Sequence, residues 1–477
     1  EYLGEQSVKN ISKPVRVYKA LMDPESVGKV IGEKRVEPKR GQRVALAVVI
    51  VLLLVVGGLL MWRTASPPVE VASVERMAYP LPDKPSLAVL PFENISDDPK
   101  QEYFADGMTD DIITDLSKIS GLFVIARNST FTYKGKPVKV QRVAEDLGVR
   151  YVLEGSVRKA GEKVRINAQL IDATTGHHLW AERFDGKLGD IFTLQDAFTH
   201  KIVSALAVRL TTDDQSLLAS RETQNVQAYD AFLQGSDHYQ RMTRDDLVKA
   251  ASYYKKAIEL DPNYGRAHAA LAMLYGTSVN RGWAKGLGWS NVRALAKEHL
   301  EIAMKNPTAT AYRAAAKSLL WQRKFEEAIA AAERSLAMEP NSTHSHYHMA
   351  RVLIYAGRSE EAVDHMNMAM RLDPQYPAYY LRHLGLARFC MGQMEEAVTL
   401  FERAQKRIPE SPVTALAATY AYLGREQEAK DLLTEFIKRR DFKNLNVKKL
   451  MRYYPFKDPK DADRFAKGFH MAGLPME

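Results

Sequence analysis

Cysteine is almost absent from this sequence of 477 residues, which contains only Cys390. A single cysteine excludes an intrachain disulfide framework and a zinc site built from several cysteines. Common catalytic signatures are missing as well: there is no glycine-rich phosphate loop, no dinucleotide-binding fingerprint, no HExxH pair and no nucleophile elbow. The sequence therefore gives no candidate catalytic, cofactor-binding or metal-binding residue.

The positive charge of the chain is unevenly distributed. The net charge is +9, and residues 1–63 contain eleven lysines and arginines against six acidic residues, so over half of the excess lies beside one apolar segment. A nucleic-acid-binding domain would instead place a basic stripe on a folded surface. This distribution predicts contact with a membrane and no nucleic-acid partner.

Residues 44–62 form an uncharged run of 19 residues, VALAVVIVLLLVVGGLLMW. About 20 apolar residues in a helix match the hydrocarbon core of a bilayer, which favours a transmembrane helix over a buried core helix or a signal peptide. Basic residues concentrate in the preceding linker, 21–43, so the positive-inside rule places the N-terminus in the cytoplasm. We expect everything after about Arg63 to lie on the exterior side of a cytoplasmic membrane.

A proline-rich linker, 63–83, precedes a segment of mixed pattern, 84–210. Short apolar runs, amphipathic helical stretches and an alternating run at 164–170 predict an α/β layer domain. A helix within it carries four carboxylates at helical spacing: Asp106, Asp110, Asp111 and Asp115. A metal site is one interpretation, but a solvated helix face is favoured, because hard-cation sites also use carbonyls and turns.

The motifs AVLPFENIS, YFADGMTDDIITDLSKI, YVLEGSVRKAG and INAQLIDATTGHHLWAERFD cover nearly all of this segment. They resemble the TolB-like domain of bacterial signalling proteins. The resemblance implies an α/β fold and brings no catalytic residue, ligand or partner with it.

Residues 227–440 repeat a pattern of small and apolar positions that ends in proline. Pro340, Pro374 and Pro409 are 34 and 35 residues apart, which is the tetratricopeptide period. About six units predict an all-α solenoid whose groove binds a peptide or protein partner, followed by a capping segment at 441–477. His344 and His348 are spaced to share a zinc ion, but no third ligand is adjacent, so packed or solvated imidazoles are favoured.

The opening segment, GEQSVKNISKPVRVYKA, ends in an alternating run at 14–18 that predicts a last strand. It resembles the closing segment of class III adenylate/guanylate cyclase domains in Gly4, Glu5, Lys9, Asn10, Ile11, Pro14, Val15, Val17 and Tyr18, with Val8 in place of the usual leucine. The resemblance implies that residues 1–20 are the tail of a cyclase domain whose catalytic groups, and two Mg or Mn ions, lie upstream of Glu1. It also implies a homodimer.

Three functions stay open on this evidence. The favoured one is the membrane-anchored regulatory and sensor portion of a bacterial nucleotide cyclase, which itself catalyses nothing. The alternatives are a non-catalytic envelope scaffold, and the sensor part of a winged-helix transcription regulator.

Overall fold

The computed structural model describes residues 2–6, 13–18, 71–409, 413–440 and 444–477. The chain divides into two units, 1–69 and 70–477. In the first unit, strands β1 (Tyr2–Gln6) and β2 (Val15–Tyr18) pair antiparallel, so the strand predicted at 14–18 is present.

The predicted basic linker, 21–43, and the predicted membrane segment, 44–62, lie outside the described residues. Where the chain is described, no helix is both long enough and apolar enough to cross a bilayer.

A six-stranded mixed sheet begins the second unit. Its strands are β3 (Ser86–Val89), β4 (Glu93–Asn94), β5 (Phe123–Val124), β6 (Tyr151–Ala160), β7 (Lys163–Asp172) and β8 (His177–Lys187). The order is β5-β3-β6-β7-β8, and β4 also pairs with β6. Strand β3 runs parallel to β5 and β6, whereas β6, β7 and β8 are antiparallel. The alternation predicted at 164–170 is confirmed, since the apolar side chains on one face of β7 are buried.

Helices cover both faces of this sheet: α1 (Glu102–Ser117), α2 (Arg127–Thr130), α3 (Val140–Leu147), α4 (Ile191–Ala205) and α5 (Thr212–Ala219). Helices α1 and α4 share a core with one face, whereas α3 packs in a second core on the other. Gly148 ends α3 in the left-handed region, at φ 63°, because only a residue without Cβ adopts it freely. We call residues 71–219 the sheet domain.

The rest of the described chain is helical. Six inner helices are α6 (Val226–Arg241), α8 (Gly265–Asn280), α10 (Ala309–Trp321), α12 (Thr343–Tyr355), α14 (Ala378–Cys390) and α16 (Thr414–Tyr422). Each is followed by an outer helix: α7 (Arg244–Leu260), α9 (Val292–Ala303), α11 (Phe325–Met338), α13 (Ser359–Leu372), α15 (Met394–Arg407) and α17 (Glu426–Arg440). Two further helices follow, α18 (Val447–Met451) and α19 (Pro459–Met471).

Small residues let the two helices of a pair approach closely. A Cβ on Gly385 of α14 would lie 2.9 Å from the ring of Phe401 on α15, so a larger residue does not fit there. Consecutive inner helices also pack side by side: α8 with α10, α10 with α12, and α12 with α14. Stacking of this kind curves the array and turns its inner helices toward a concave surface. The predicted all-helical solenoid is confirmed.

The sheet domain and the first repeats share one hydrophobic core. Buried side chains run without interruption from Ile166 in the sheet, through Phe104 of α1, to Phe232 and Tyr254 of the first helix pair. On the other face of the sheet, the core that contains α3 includes Leu372, from the end of α13. The two parts therefore fold against each other and are not independent modules on a linker.

Candidate functional site

The acidic side of α1 faces the first two inner helices. The Asp111 carboxylate accepts a hydrogen bond from the Tyr229 hydroxyl on α6 and another from Arg266 Nη1 on α8, the latter at 2.8 Å. Gln195 Nε2 donates to the same hydroxyl at 2.9 Å. Asp106 and Asp111 are only 9% and 6% exposed. The predicted solvated face is therefore wrong at these two positions: helices α6 and α8 of the array cover Asp111, whereas Lys134 of the sheet domain pairs with Asp106 at 2.5 Å.

The sheet domain is also fixed to later repeats. Arg371, at the end of α13, donates to the carbonyl oxygen of Gly148 at 2.7 Å. The Ser129 hydroxyl donates to the Asp373 carboxylate at 2.5 Å. The Asn341 amide donates at 2.8 Å to a backbone carbonyl just after α1. Contacts from the first repeat to the loop before the fifth inner helix thus hold the domain along one edge of the array.

Basic side chains cluster on two neighbouring inner helices. Lys317 comes from α10, and His344, His348 and Arg351 come from one face of α12. The Arg351 guanidinium carbon lies 5.9 Å from the centre of the Trp321 ring, which is 41% exposed. We call Lys317, His344, His348 and Arg351 the basic inner face.

Like charges act on one another within the basic inner face. Burial, followed by the charge of Arg351, lowers the pKa of Lys317 to about 8. Burial, followed by Arg351 and other nearby cations, lowers the pKa of His348 well below its usual range. The basic inner face therefore holds positive charge at some expense in stability.

Carboxylates near this surface already have partners. Glu339 acts on His344 but is paired with Arg313 Nη1 at 2.7 Å. By contrast, the buried Nε of Arg351 has no hydrogen-bond partner among the residues that the structure describes. A buried polar atom without a partner is uncommon in folded proteins and often marks a place where a ligand or water binds.

Histidines pair between inner and outer helices at two equivalent places. His346 Nδ1 lies 3.0 Å from His365 Nδ1, and His346 Nε2 lies 3.1 Å from the carbonyl oxygen of Pro340. His268 and His299 repeat this arrangement at the same Nδ1–Nδ1 distance of 3.0 Å. Because a carbonyl only accepts, Nε2 of His346 donates, and its Nδ1 accepts from His365. No group of three or more possible metal ligands occurs in the described part of the chain, His344 and His348 included.

These pairs predict a loss of stability in mild acid. Burial, followed by His365, lowers the pKa of His346 to about 4, below the 6.5 of the unfolded chain. The fold therefore prefers the neutral ring, and stability that is complete above pH 6.5 is lost as the pH falls toward 4. We expect His346 to account for about 1 to 2 kcal/mol of this loss by pH 5.

The measurement is the urea-unfolding free energy between pH 7 and pH 5 for the wild type, His346→Asn and His177→Asn. His177 is exposed at the start of β8 and provides the matched control. The His346 variant should lose less stability on acidification than the other two proteins. Identical losses in all three would contradict the role of His346.

Two protein families match parts of this chain. Residues 83–204 match the second domain of HilA/YgeH-like transcriptional regulators. Residues 319–384 match the tetratricopeptide repeat family. The helix pairs therefore form a tetratricopeptide solenoid, whereas the TolB-like resemblance of 84–210 stays a prediction.

One curated protein that is similar to this chain is named as an adenylate cyclase. Over 250 residues the chain is 46% identical to "Putative adenylate cyclase 3" of Rhizobium meliloti (strain 1021). The match covers 52% of this chain and 42% of the relative, so the chain spans less than half of that protein.

Two solved structures resemble parts of the chain at low identity. Pseudomonas aeruginosa PilF is 18% identical with a TM-score of 0.32, and the match covers 51% of this chain and 100% of PilF. YrrB, a TPR protein with an unusual peptide-binding site, is 19% identical with a TM-score of 0.27, over 41% of this chain and 91% of YrrB.

From the sequence, zinc ligation by His344 and His348 was weighed against packed or solvated imidazoles, and the basic inner face was missed. The repeat period carries the signal that would have found it. Lys317 and Arg351 are 34 residues apart, so they occupy the same position in consecutive repeats, as do His348 and Arg382. Two positions of the inner helices, three residues apart on one helix face, thus carry basic residues in successive repeats.

Proposed function

We propose that this chain is the regulatory, partner-binding portion of a membrane-anchored nucleotide cyclase. The observation that carries the proposal is the 46% identity over 250 residues to a protein named as an adenylate cyclase. The resemblance of residues 1–20 to the end of a cyclase domain is consistent with it. In this proposal the catalytic domain belongs to the part of the protein before Glu1.

The proposal assigns a role to each part of the chain. The tetratricopeptide solenoid binds a protein partner, and residues 44–62 anchor the protein in the bacterial inner membrane with the cyclase domain in the cytoplasm. The upstream domain would hold the two divalent metal ions and would form the catalytic dimer. Reporter fusions before and after residues 44–62 test the orientation, which fails if both report the same side.

The test of function begins with the coding sequence upstream of Glu1. We expect class III cyclase motifs there, and formation of cyclic AMP or cyclic GMP by the whole expressed product. Deleting residues 71–477 from that product should change the rate severalfold, because the partner-binding part would no longer act on the catalytic domain. A cyclase whose rate is insensitive to the deletion would contradict the regulatory role.

A second candidate is the sensor part of a transcription regulator. The observation in its favour is the match of residues 83–204 to the second domain of HilA/YgeH-like transcriptional regulators. The same upstream sequence separates the two, since a regulator would carry a winged-helix domain in place of cyclase motifs. Absence of both domains there would favour the third alternative, a non-catalytic envelope scaffold.

A further inference from the structure

The basic inner face contains two strong cations for which the structure shows no carboxylate partner. In the described part of the chain, neither Lys317 nor Arg351 forms an ion pair, although many other lysines and arginines of the array do. Arg351 contacts the face of Trp321 instead, and its Nε is buried and unpaired. Buried charges without a partner lower the stability of a fold, and groups of this kind cluster at functional sites.

We propose that the basic inner face binds an acidic peptide segment of a protein partner, with a carboxylate on Arg351 and a second carboxylate on Lys317. This inference rests on the proposed partner-binding role of the solenoid and specifies the chemistry of the partner. A guanidinium presents a planar fork that matches a carboxylate, and a bidentate pair of this kind is stronger than a neutral hydrogen bond.

The surroundings of the two cations favour a peptide over a nucleic acid. Beyond residue 63 the chain carries a small excess of positive charge, +4, and the cationic cluster itself is short. Nucleic-acid binding depends on neutralising many phosphates along a basic stripe. The Trp321 ring, which is 41% exposed and lies beside Arg351, adds apolar wall area.

The array already binds an acidic helix of its own chain in a similar way. Arg266, near the start of inner helix α8, donates to the Asp111 carboxylate on α1 at 2.8 Å. A cation on an inner helix thus holds a carboxylate on a helix packed against the array. Arg351 presents the same group farther along the array, where the structure shows no carboxylate on it.

Charge complementarity can be tested with labelled peptides and the full chain. The probe is a short fluorescein-labelled peptide of alternating glutamate and leucine, and its control replaces each glutamate with glutamine. Fluorescence anisotropy gives Kd for the wild type, Arg351→Gln, Lys317→Met and the matched control Arg358→Gln. Arg358 is exposed just before outer helix α13 and is paired with Glu361, so it should not touch the peptide.

We expect Arg351→Gln and Lys317→Met each to weaken binding of the acidic peptide about tenfold, as expected for loss of one charge-assisted hydrogen bond. The Arg358 variant should bind like the wild type, and the glutamine peptide should bind weakly to every variant. Circular dichroism and the thermal midpoint show whether each variant is folded.

Two outcomes would overturn the proposal. One is equal binding of the glutamate and glutamine peptides, and the other is acidic-peptide affinity that neither substitution changes. Tighter binding of a single-stranded DNA oligonucleotide, lost in Arg351→Gln, would overturn it in favour of a phosphate ligand. None of these results bears on cyclase activity, whose dependence on residues 71–477 is measured separately.

Discussion

Replacing Asp111 with alanine is expected to lower the free energy of unfolding by about 3 to 5 kcal/mol, the range for breaking a buried ion pair from one side. The substitution leaves the Arg266 guanidinium, whose side chain is 18% exposed, with the Phe232 ring and, as its one ion-pair partner among the described residues, Glu222 at 3.5 Å. It also removes the acceptor of the buried Tyr229 hydroxyl. Because the sheet domain and the first repeats share one core, both should lose stability together.

Urea unfolding followed by circular dichroism measures this effect, and Asp237→Ala provides the control. Asp237 forms an ion pair with Arg241 within α6, and that arginine is 53% exposed, so its loss should change stability by less than about 1 kcal/mol. Proteolysis of Asp111→Ala should begin between α4 and α6, where the two parts are joined. Equal stabilities of the two variants would show that the Asp111 network does not hold the parts together.

Replacing Lys317 with methionine is expected to raise the free energy of unfolding by about 2 to 3 kcal/mol at pH 7. The pKa of Lys317 is lowered to about 8 from 10.5, chiefly by burial and then by Arg351. Below pH 8 the amine is protonated in both the folded and the unfolded chain, and the fold carries the whole cost of the buried charge. As the pH rises from 8 to 10.5, folding releases the proton and the cost disappears.

The gain from Lys317→Met should therefore shrink between pH 7 and pH 10, which distinguishes charge removal from better packing. Thermal unfolding at several pH values provides the measurement. Lys324→Met, at a residue whose side chain is 50% exposed and paired with Glu327, should change stability by less than about 0.5 kcal/mol. A variant that gains stability while losing acidic-peptide affinity cannot owe the loss to unfolding. A gain that is constant across this pH range would argue against the charge as its cause.

Local sequence pattern was sufficient to predict the helices and strands but not the tertiary contacts between them. The alternation in β7 and the proline period of the array each reflect one element or one repeat, so sequence alone predicted them. The burial of Asp111 and the joining of Leu372 to α3 depend on residues more than a hundred positions away in the chain. Helical spacing shows which residues share a face but not what covers that face, and the solvated-face prediction failed for this reason.

The basic inner face was not predicted from the sequence, for a related reason. Lys317 and Arg351 look like ordinary surface cations when the sequence is read residue by residue. Only alignment of one repeat on the next shows that they superimpose. Even then, burial and the missing partner at Arg351 Nε follow from the packed array and not from the repeat itself.

The bonds from the sheet domain to Arg266, Asn341, Arg371 and Asp373 have a mechanical consequence. The curvature of a stacked array is the sum of small rotations between neighbouring helix pairs, so small changes at each contact add up along the array. The sheet domain is hydrogen-bonded to the array at several repeats. These bonds restrain the curvature of the array in the absence of a partner. Restraint of this kind lowers the free-energy cost of ordering the array when a partner binds. A displacement of the sheet domain would therefore shift every repeat to which it is bonded.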